Sequence, residues 1–230
     1  MATSYVALLS GGLDSTVAAF AARKQGKVGI ALVFDYGQHA AKQEMDAAKK
    51  IAKRLRAECR VIPLPFLEKV TKTALVMNDK VIPQIKMAKL DDRTETEKSA
   101  QDVWVPNRNG LFLNIAACVA EGEGFSEIIV GFNAEEAATF PDNSANFVDR
   151  ADRFFELSTM GKIRVSAPTL GLNKTQIVKL GMELDVPFDE IYSCYRGKKR
   201  PCGNCESCLR SMRAYQNAGI WPQLQDRFGS

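Results

Sequence analysis

Apolar residues in this chain fall into two kinds of run. Short continuous stretches, such as YVALL at 5–9 and VGIALVF at 28–34, alternate with longer ones in which apolar positions recur every three or four residues. The first kind predicts strands buried on both faces, and the second predicts amphipathic helices. A helix is expected from near Asp14, with Val17, Ala18, Ala21 and Ala22 apolar, ending at Gly26. Another is expected over 40–56, carried by Met45, Ala48, Ala52 and Leu55, then a strand at 60–64. The periodicity weakens and charge rises over 70–104 (KLDDRTETEKSAQD), which reads as a long, partly mobile excursion. Regularity returns with a helix over 109–121, a strand at 127–131, a helix over 146–158 and a last strand at 163–166. A helix over 173–184 follows, capped by Asn173, with Ile177, Val178 and Leu180 turned inward. Strands alternating with helices predict an α/β fold with a doubly wound, mainly parallel sheet. After Pro187 the composition changes, so 1–187 reads as the main domain and 188–230 as a compact tail with a helix over 205–217.

The bulk numbers narrow the class only a little. At 230 residues, 46% hydrophobic and 25% charged, the chain can bury a full core. A net charge of +4 suits anionic small molecules and gives no concentrated basic face for nucleic acid; the run Lys198, Lys199, Arg200 reads as a solvated loop. No apolar run is long enough to span a membrane, and no basic region precedes the first apolar run, so the cytoplasm is the expected compartment. There the six cysteines are expected to be reduced.

The first candidate chemistry is SGGLDS, residues 10–15, where a buried strand hands over to a helix. Glycines there let the backbone approach a ligand, and the helix N-terminus binds anions. The loop lacks the lysine of GxxxxGK[ST] and is not GxGxxG. Asp14 repels phosphate, so it either helps to hold Mg2+ or caps the helix. Lys174, in the first turn of its helix, is placed to meet phosphates. Arg108, in the turn VPNRN, can clamp a carboxylate or phosphate, and Asn109 is either a substrate contact or a helix cap. His39 has no partner in sequence and reads as a helix-start residue.

Cys194, Cys202, Cys205 and Cys208 form C-x7-C-x2-C-x2-C. Four thiolates so close can surround one structural Zn2+, with Gly203 and Asn204 making the knuckle; an iron–sulfur cluster is the competing reading. Cys59 and Cys118 lie in apolar elements and read as inert core residues.

SGGLDS resembles the signature of the PP-loop ATP pyrophosphatases, which include GMP synthetase and tRNA thiolation enzymes. With VPNRN and YSCYRGKKRPCGNCESC, the resemblance narrows to the 7-cyano-7-deazaguanine synthase family and covers nearly the whole chain. It implies an adenine nucleotide alpha hydrolase-like fold with a small zinc-binding helical tail, a homodimer, and ATP, Mg2+ and Zn2+ as cofactors. The implied reaction converts 7-carboxy-7-deazaguanine and ammonia to the nitrile through an acyl-adenylate and an amide, releasing AMP and pyrophosphate. By the same resemblance, ATP lies along Leu8, Leu9, Ser10, Gly11, Gly12, Leu13, Asp14, Ser15, Thr16, Val17 and Ala18, with adenine near Asp35, Tyr36, Gly37 and Gln38. Asp14, Ser15, Arg108 and Lys174 are the implied catalytic set. The block after the fourth strand reads GFNAEEAATFPDNS where many bacterial members read G-x-N-x-x-D-Y-S-G-Y-P-D-C-R. Arg108, Asn109, Asn133, Glu135, Glu136, Phe140, Asp142 and Asn143 are therefore the candidate substrate contacts, the carboxylates accepting from the amino and ring N–H groups of a guanine-like base.

Overall fold

The computed structural model describes residues 4–229. Strands β1 (Ser4–Leu8), β2 (Lys27–Asp35), β3 (Glu58–Pro63), β4 (Glu127–Ile129) and β5 (Arg164–Ser166) form one sheet in the order β3-β2-β1-β4-β5. Every pairing is parallel. The helices are α1 (Leu13–Gln25), α2 (Ala41–Leu55), α3 (Pro65–Val70), α4 (Arg93–Val103), α5 (Arg108–Gly122), α6 (Ala134–Ala137), α7 (Ala145–Ser158), α8 (Lys174–Glu183), α9 (Glu206–Asn217) and α10 (Trp221–Leu224). The chain leaves β1 toward β2 on one side and later returns to place β4 on the other. The crevice between the ends of β1 and β4 is therefore the topological switch point, where doubly wound sheets bind ligands.

Side-chain alternation sorts the core into two layers. Val6, Ile30, Leu32 and Phe34 join α5 and Phe155 of α7 on one face. Tyr5, Ala7, Ala31 and Val33 join α1, α2 and α8 on the other. The alternation slips between Val28 and Ile30, where the β1–β2 register shifts. Gly29 sits at that slip because a Cβ there would lie 2.4 Å from the Phe125 ring. Ala18, Ala19 and Ala22 let α1 lie close to the sheet. Along α2 the expected Ala48, Ala52 and Leu55 are buried and Met45 is half-buried, and Ile51, outside the expected set, joins the buried stripe; a fully buried Ile51 contributes about 1.5–3 kcal/mol.

The clearest departure lies in the charged excursion, which contains the whole of α4. Asp92 caps it, accepting from the Glu95 amide at 3.4 Å. Its buried face is Thr96, Ser99, Ala100 and Val103, mostly small and polar, so no apolar period advertises it. Polar contacts to α9 add to the apolar contacts of Leu75, Ile82 and Val103 in docking the segment. Glu206 bonds Ser99, Arg213 meets Asp91 at 2.8 Å, and Arg210 donates to the Leu90 carbonyl at 3.1 Å. Two smaller differences also have local causes. Cys118 is exposed, because the inward stripe of α5 is Leu113, Ala116, Ala117 and Ala120, and Cys59 on β3 is half-buried at the margin of the core. Asn107, in the left-handed region at φ 49°, and not Asn109, stands at the N-cap of α5. Asn173 caps α8 as expected and forms a full capping box with Gln176. Among the described residues no helix is long and apolar enough to cross a membrane.

Candidate active site and metal centre

At the switch point a cavity of about 260 Å³ opens above the ends of β1 and β4. Its floor is the glycine loop. Gly11 has φ +75°, and a Cβ there would lie 2.7 Å from Ala47 Cβ and 2.8 Å from Ala48 N. This glycine thus serves the packing of α2 as much as any ligand. Gly12 stands at the N-cap of α1 and supplies no side-chain cap, so the N-terminal end of a thirteen-residue helix faces the cavity with the dipole behind it. Ser10 and Ser15 hydroxyls lie 3.0 Å apart beside them.

Asp14 does not cap the helix. Its Oδ2 accepts from Lys174 Nζ at 2.6 Å, and Lys174 also meets Glu136 at 2.8 Å. Lys174 is only 6% exposed. Burial pushes the Asp14 carboxyl up to about 6, with Lys174 pulling the other way and Glu136 adding to the rise. Asp14 Oδ1 is buried without a hydrogen-bond partner. Two carboxylates share one ammonium, so the cluster carries surplus negative charge and a free oxygen, which suits a cation.

The turn after β2 forms the second wall. Gln38 accepts from the Tyr36 amide at 2.9 Å and donates to the Phe34 carbonyl at 3.0 Å and to Glu44 at 2.8 Å. Burial holds Glu44 above its ordinary range, against that bond from Gln38. Gly37 donates to Asp35 Oδ1 at 3.2 Å, and these two residues stand behind the cavity wall. Arg108 Nη1 donates to the Tyr36 hydroxyl at 3.2 Å, with its guanidinium carbon 5.9 Å from that ring's centre.

Of the candidate substrate contacts, Arg108, Asn109, Glu136, Phe140 and Asn143 line the cavity. Asn109 donates to the Asp142 carbonyl at 3.4 Å and Asn143 to Asp142 Oδ1 at 3.2 Å, so the Pro-Asp turn is braced from both sides. Trp104 lies nearly parallel to Phe140, their centroids 6.2 Å apart. The remaining candidates stand elsewhere. Asn133 is fully buried and caps α6. Glu135 spans from the Lys174 amide, which donates to Oε1 at 2.8 Å, to Arg210 and Arg213 at 3.2 and 3.3 Å, and does not line the cavity. Thr16, Val17 and Ala18 are fully buried in α1 beneath the loop. His39 precedes α2, its amide bonded to the Leu75 carbonyl.

Several lining residues carry no sequence signal strong enough to find them. A Cβ on Gly131 would lie 2.4 Å from Ser15 N, so β4 can approach the loop only through a glycine. Tyr192, Ser193, Tyr195 and Ser207 of the cysteine tail also line the cavity. Only their neighbourhood to Cys194 and Cys208 could have hinted at this.

The cysteine sulfurs of Cys194, Cys202, Cys205 and Cys208 all lie within 4.8 Å of one another. Tetrahedral sites with metal–sulfur bonds of about 2.3 Å need sulfurs about 3.8 Å apart, and Cys202 and Cys208 are at 3.9 Å. The space holds a single ion. Backbone amides of Arg196 and Cys202 donate to Cys194 Sγ, and that of Cys205 to Cys202 Sγ, each at 3.4 Å, which stabilises thiolates. Gly203, at φ +72°, makes the knuckle.

A family model described as queuosine biosynthesis protein QueC matches residues 4–219. The chain is 50% identical over 215 residues to the 7-cyano-7-deazaguanine synthase of Pelotomaculum thermopropionicum, covering 94% of this chain and 97% of that one. It is 43% identical over 227 residues to the synthase of Methanosarcina mazei, covering 97% and 98%. Against that of Bdellovibrio bacteriovorus it is 47% identical over 216 residues, covering 94% of each.

Proposed function

The chain belongs to the QueC family of queuosine biosynthesis proteins, and from that premise we propose that it makes 7-cyano-7-deazaguanine from 7-carboxy-7-deazaguanine, ammonia and ATP. The observation that carries this reading is the glycine loop at the N-terminus of α1, opening onto one cavity that also holds Arg108 and the Lys174 cluster. A carboxylate and a triphosphate need such a set of donors in one place.

The substrate carboxylate oxygen attacks the α-phosphorus of ATP and expels pyrophosphate, giving an acyl-adenylate. Ammonia adds at the carbonyl and expels AMP, leaving the amide after loss of a proton. In a second round the amide oxygen attacks the α-phosphorus of a second ATP and expels pyrophosphate; loss of AMP and of both amide N–H protons then yields the nitrile. Ser10, Ser15 and the α1 amides hold the phosphates, and Lys174 neutralises the charge that grows on the leaving pyrophosphate. Arg108 orients the acid, and Phe140 and Asn143 bear on its ring. Asp14, with its unpartnered oxygen, is the residue to hold Mg2+, which supplies charge neutralisation at the phosphates. The cysteine set holds Zn2+ in a structural role, with no position left open for chemistry. Exclusion of water protects the adenylate.

The test incubates the protein with ATP, Mg2+, ammonium and 7-carboxy-7-deazaguanine and follows products by mass spectrometry. Two AMP per nitrile are expected. ADP in place of AMP would overturn the adenylation reading, and AMP release only with another acid would replace the substrate.

A further inference from the structure

The segment just before the first metal-site cysteine makes contacts with the glycine loop that neither the substrate chemistry nor the metal site requires. The Tyr192 amide donates to the Gly11 carbonyl at 2.9 Å. The Leu13 amide donates to Ser193 Oγ at 3.2 Å, joining residues 180 apart in sequence. These two bonds straddle Gly12, whose added Cβ would lie 3.4 Å from Ser193 Oγ and 3.8 Å from the Tyr192 carbonyl oxygen. Leu13 is the first residue of α1, so its amide has no acceptor within the helix, and Ser193 supplies the missing one.

What lies behind Ser193 is fixed. Its carbonyl accepts from Ser207 Oγ of α9 at 3.3 Å. Its neighbour Cys194 is 3% exposed and belongs to the cysteine set. The loop, by contrast, contains two adjacent glycines, the residues with the most backbone freedom to lose. A ligand that had to order such a loop would bind more weakly by that cost.

We infer that Ser193, with the Tyr192 amide, is a positioning residue that holds the glycine loop in its binding shape, and that the cysteine site serves as the anchor of this bracket. The tail therefore does more than fasten the C-terminus: it sets the loop geometry before any nucleotide arrives. The effect on nucleotide affinity rests on the function proposed above, whereas the effect on the loop does not.

The experiment compares wild type with Ser193→Ala and Ser193→Thr. In ligand-free protein, hydrogen exchange at the Leu13 amide should quicken about tenfold in Ser193→Ala, the loss expected for one hydrogen bond. Peptides from β2 and α2 should keep wild-type rates, and metal content should stay unchanged. In turnover, KM for ATP should rise about tenfold while kcat holds within about twofold. Ser193→Thr, which keeps the hydroxyl, should restore both. Unchanged Leu13 exchange in Ser193→Ala, or exchange quickened equally across the sheet, would overturn the inference. A wild type that consumes no ATP would remove the function proposed above, and the exchange rates would still decide this one.

Discussion

Replacing Asp14 by asparagine should abolish activity and yet make the ligand-free protein more stable at alkaline pH. The Asp14 carboxyl is held at about 6 against 3.8 in the unfolded chain, chiefly by burial, with Lys174 opposing and Glu136 assisting. Folding therefore favours the protonated form. The native state binds the extra proton between about pH 4 and 6, so this group's contribution to stability is greatest below pH 4 and is lost as pH rises through 6. A shift of about two units corresponds to about 3 kcal/mol of cost for holding the charge at pH 8. Asparagine keeps the shape without the charge, and Lys174 retains Glu136 as its partner at 2.8 Å. Urea denaturation without Mg2+ or nucleotide, run from pH 4 to 8, should show the Asp14→Asn variant matching wild type near pH 4. By pH 8 it should be more stable by 1–3 kcal/mol, on the order of the shift just given. With Mg2+ and ATP added the order should reverse, because only wild type gains binding energy. A variant less stable than wild type at pH 8, or a difference that ignores pH, would refute the reasoning.

Lys174→Met leaves Asp14 and Glu136 buried without their shared cation, so it should lose about 3–5 kcal/mol at pH 8, and less at pH 5, in the same urea assay. Gly131→Ala drives a Cβ to 2.4 Å from Ser15 N; a loop displaced by about 1 Å should lower kcat/KM for AMP release about 100-fold. Cys205→Ser should take the metal from about one per chain to none by elemental analysis, with a fall in melting temperature. Arg108→Lys gives up the two-pronged grip and the contact with Tyr36, and should raise KM for the acid about tenfold or more while leaving metal content unchanged.

The fold was legible because its signals are local. Buried parallel strands read as unbroken apolar runs, α2 carries its stripe in nearby residues, and α8 carries both stripe and cap. The charged stretch over 70–104 escaped because α4 buries mostly small polar residues, and because Ser99 and Asp91 meet α9 through a hydrogen bond and an ion pair to partners more than a hundred positions away. Cys118 went the same way: an apolar neighbourhood in sequence does not say which side of a helix faces the sheet.

For the site, the sequence alone determined which chemistry the chain carries. SGGLDS, VPNRN and the cysteine spacing are runs whose residue types are set by what they would touch, so they can be read in place. Only the tertiary structure decided how those runs meet. It put Asp14 and Glu136 on the one Lys174 ammonium, tied Glu135 to Arg210, Arg213 and the Lys174 amide, and brought Ser193 against Leu13. The physical reason is that charge sharing, burial and hydrogen bonding depend on distance in space, and parallel crossovers bring distant segments to one sheet edge. The residue types of the glycine loop can be read locally, but its shape depends on a strand end, a helix start and a tail that meet only in the folded chain.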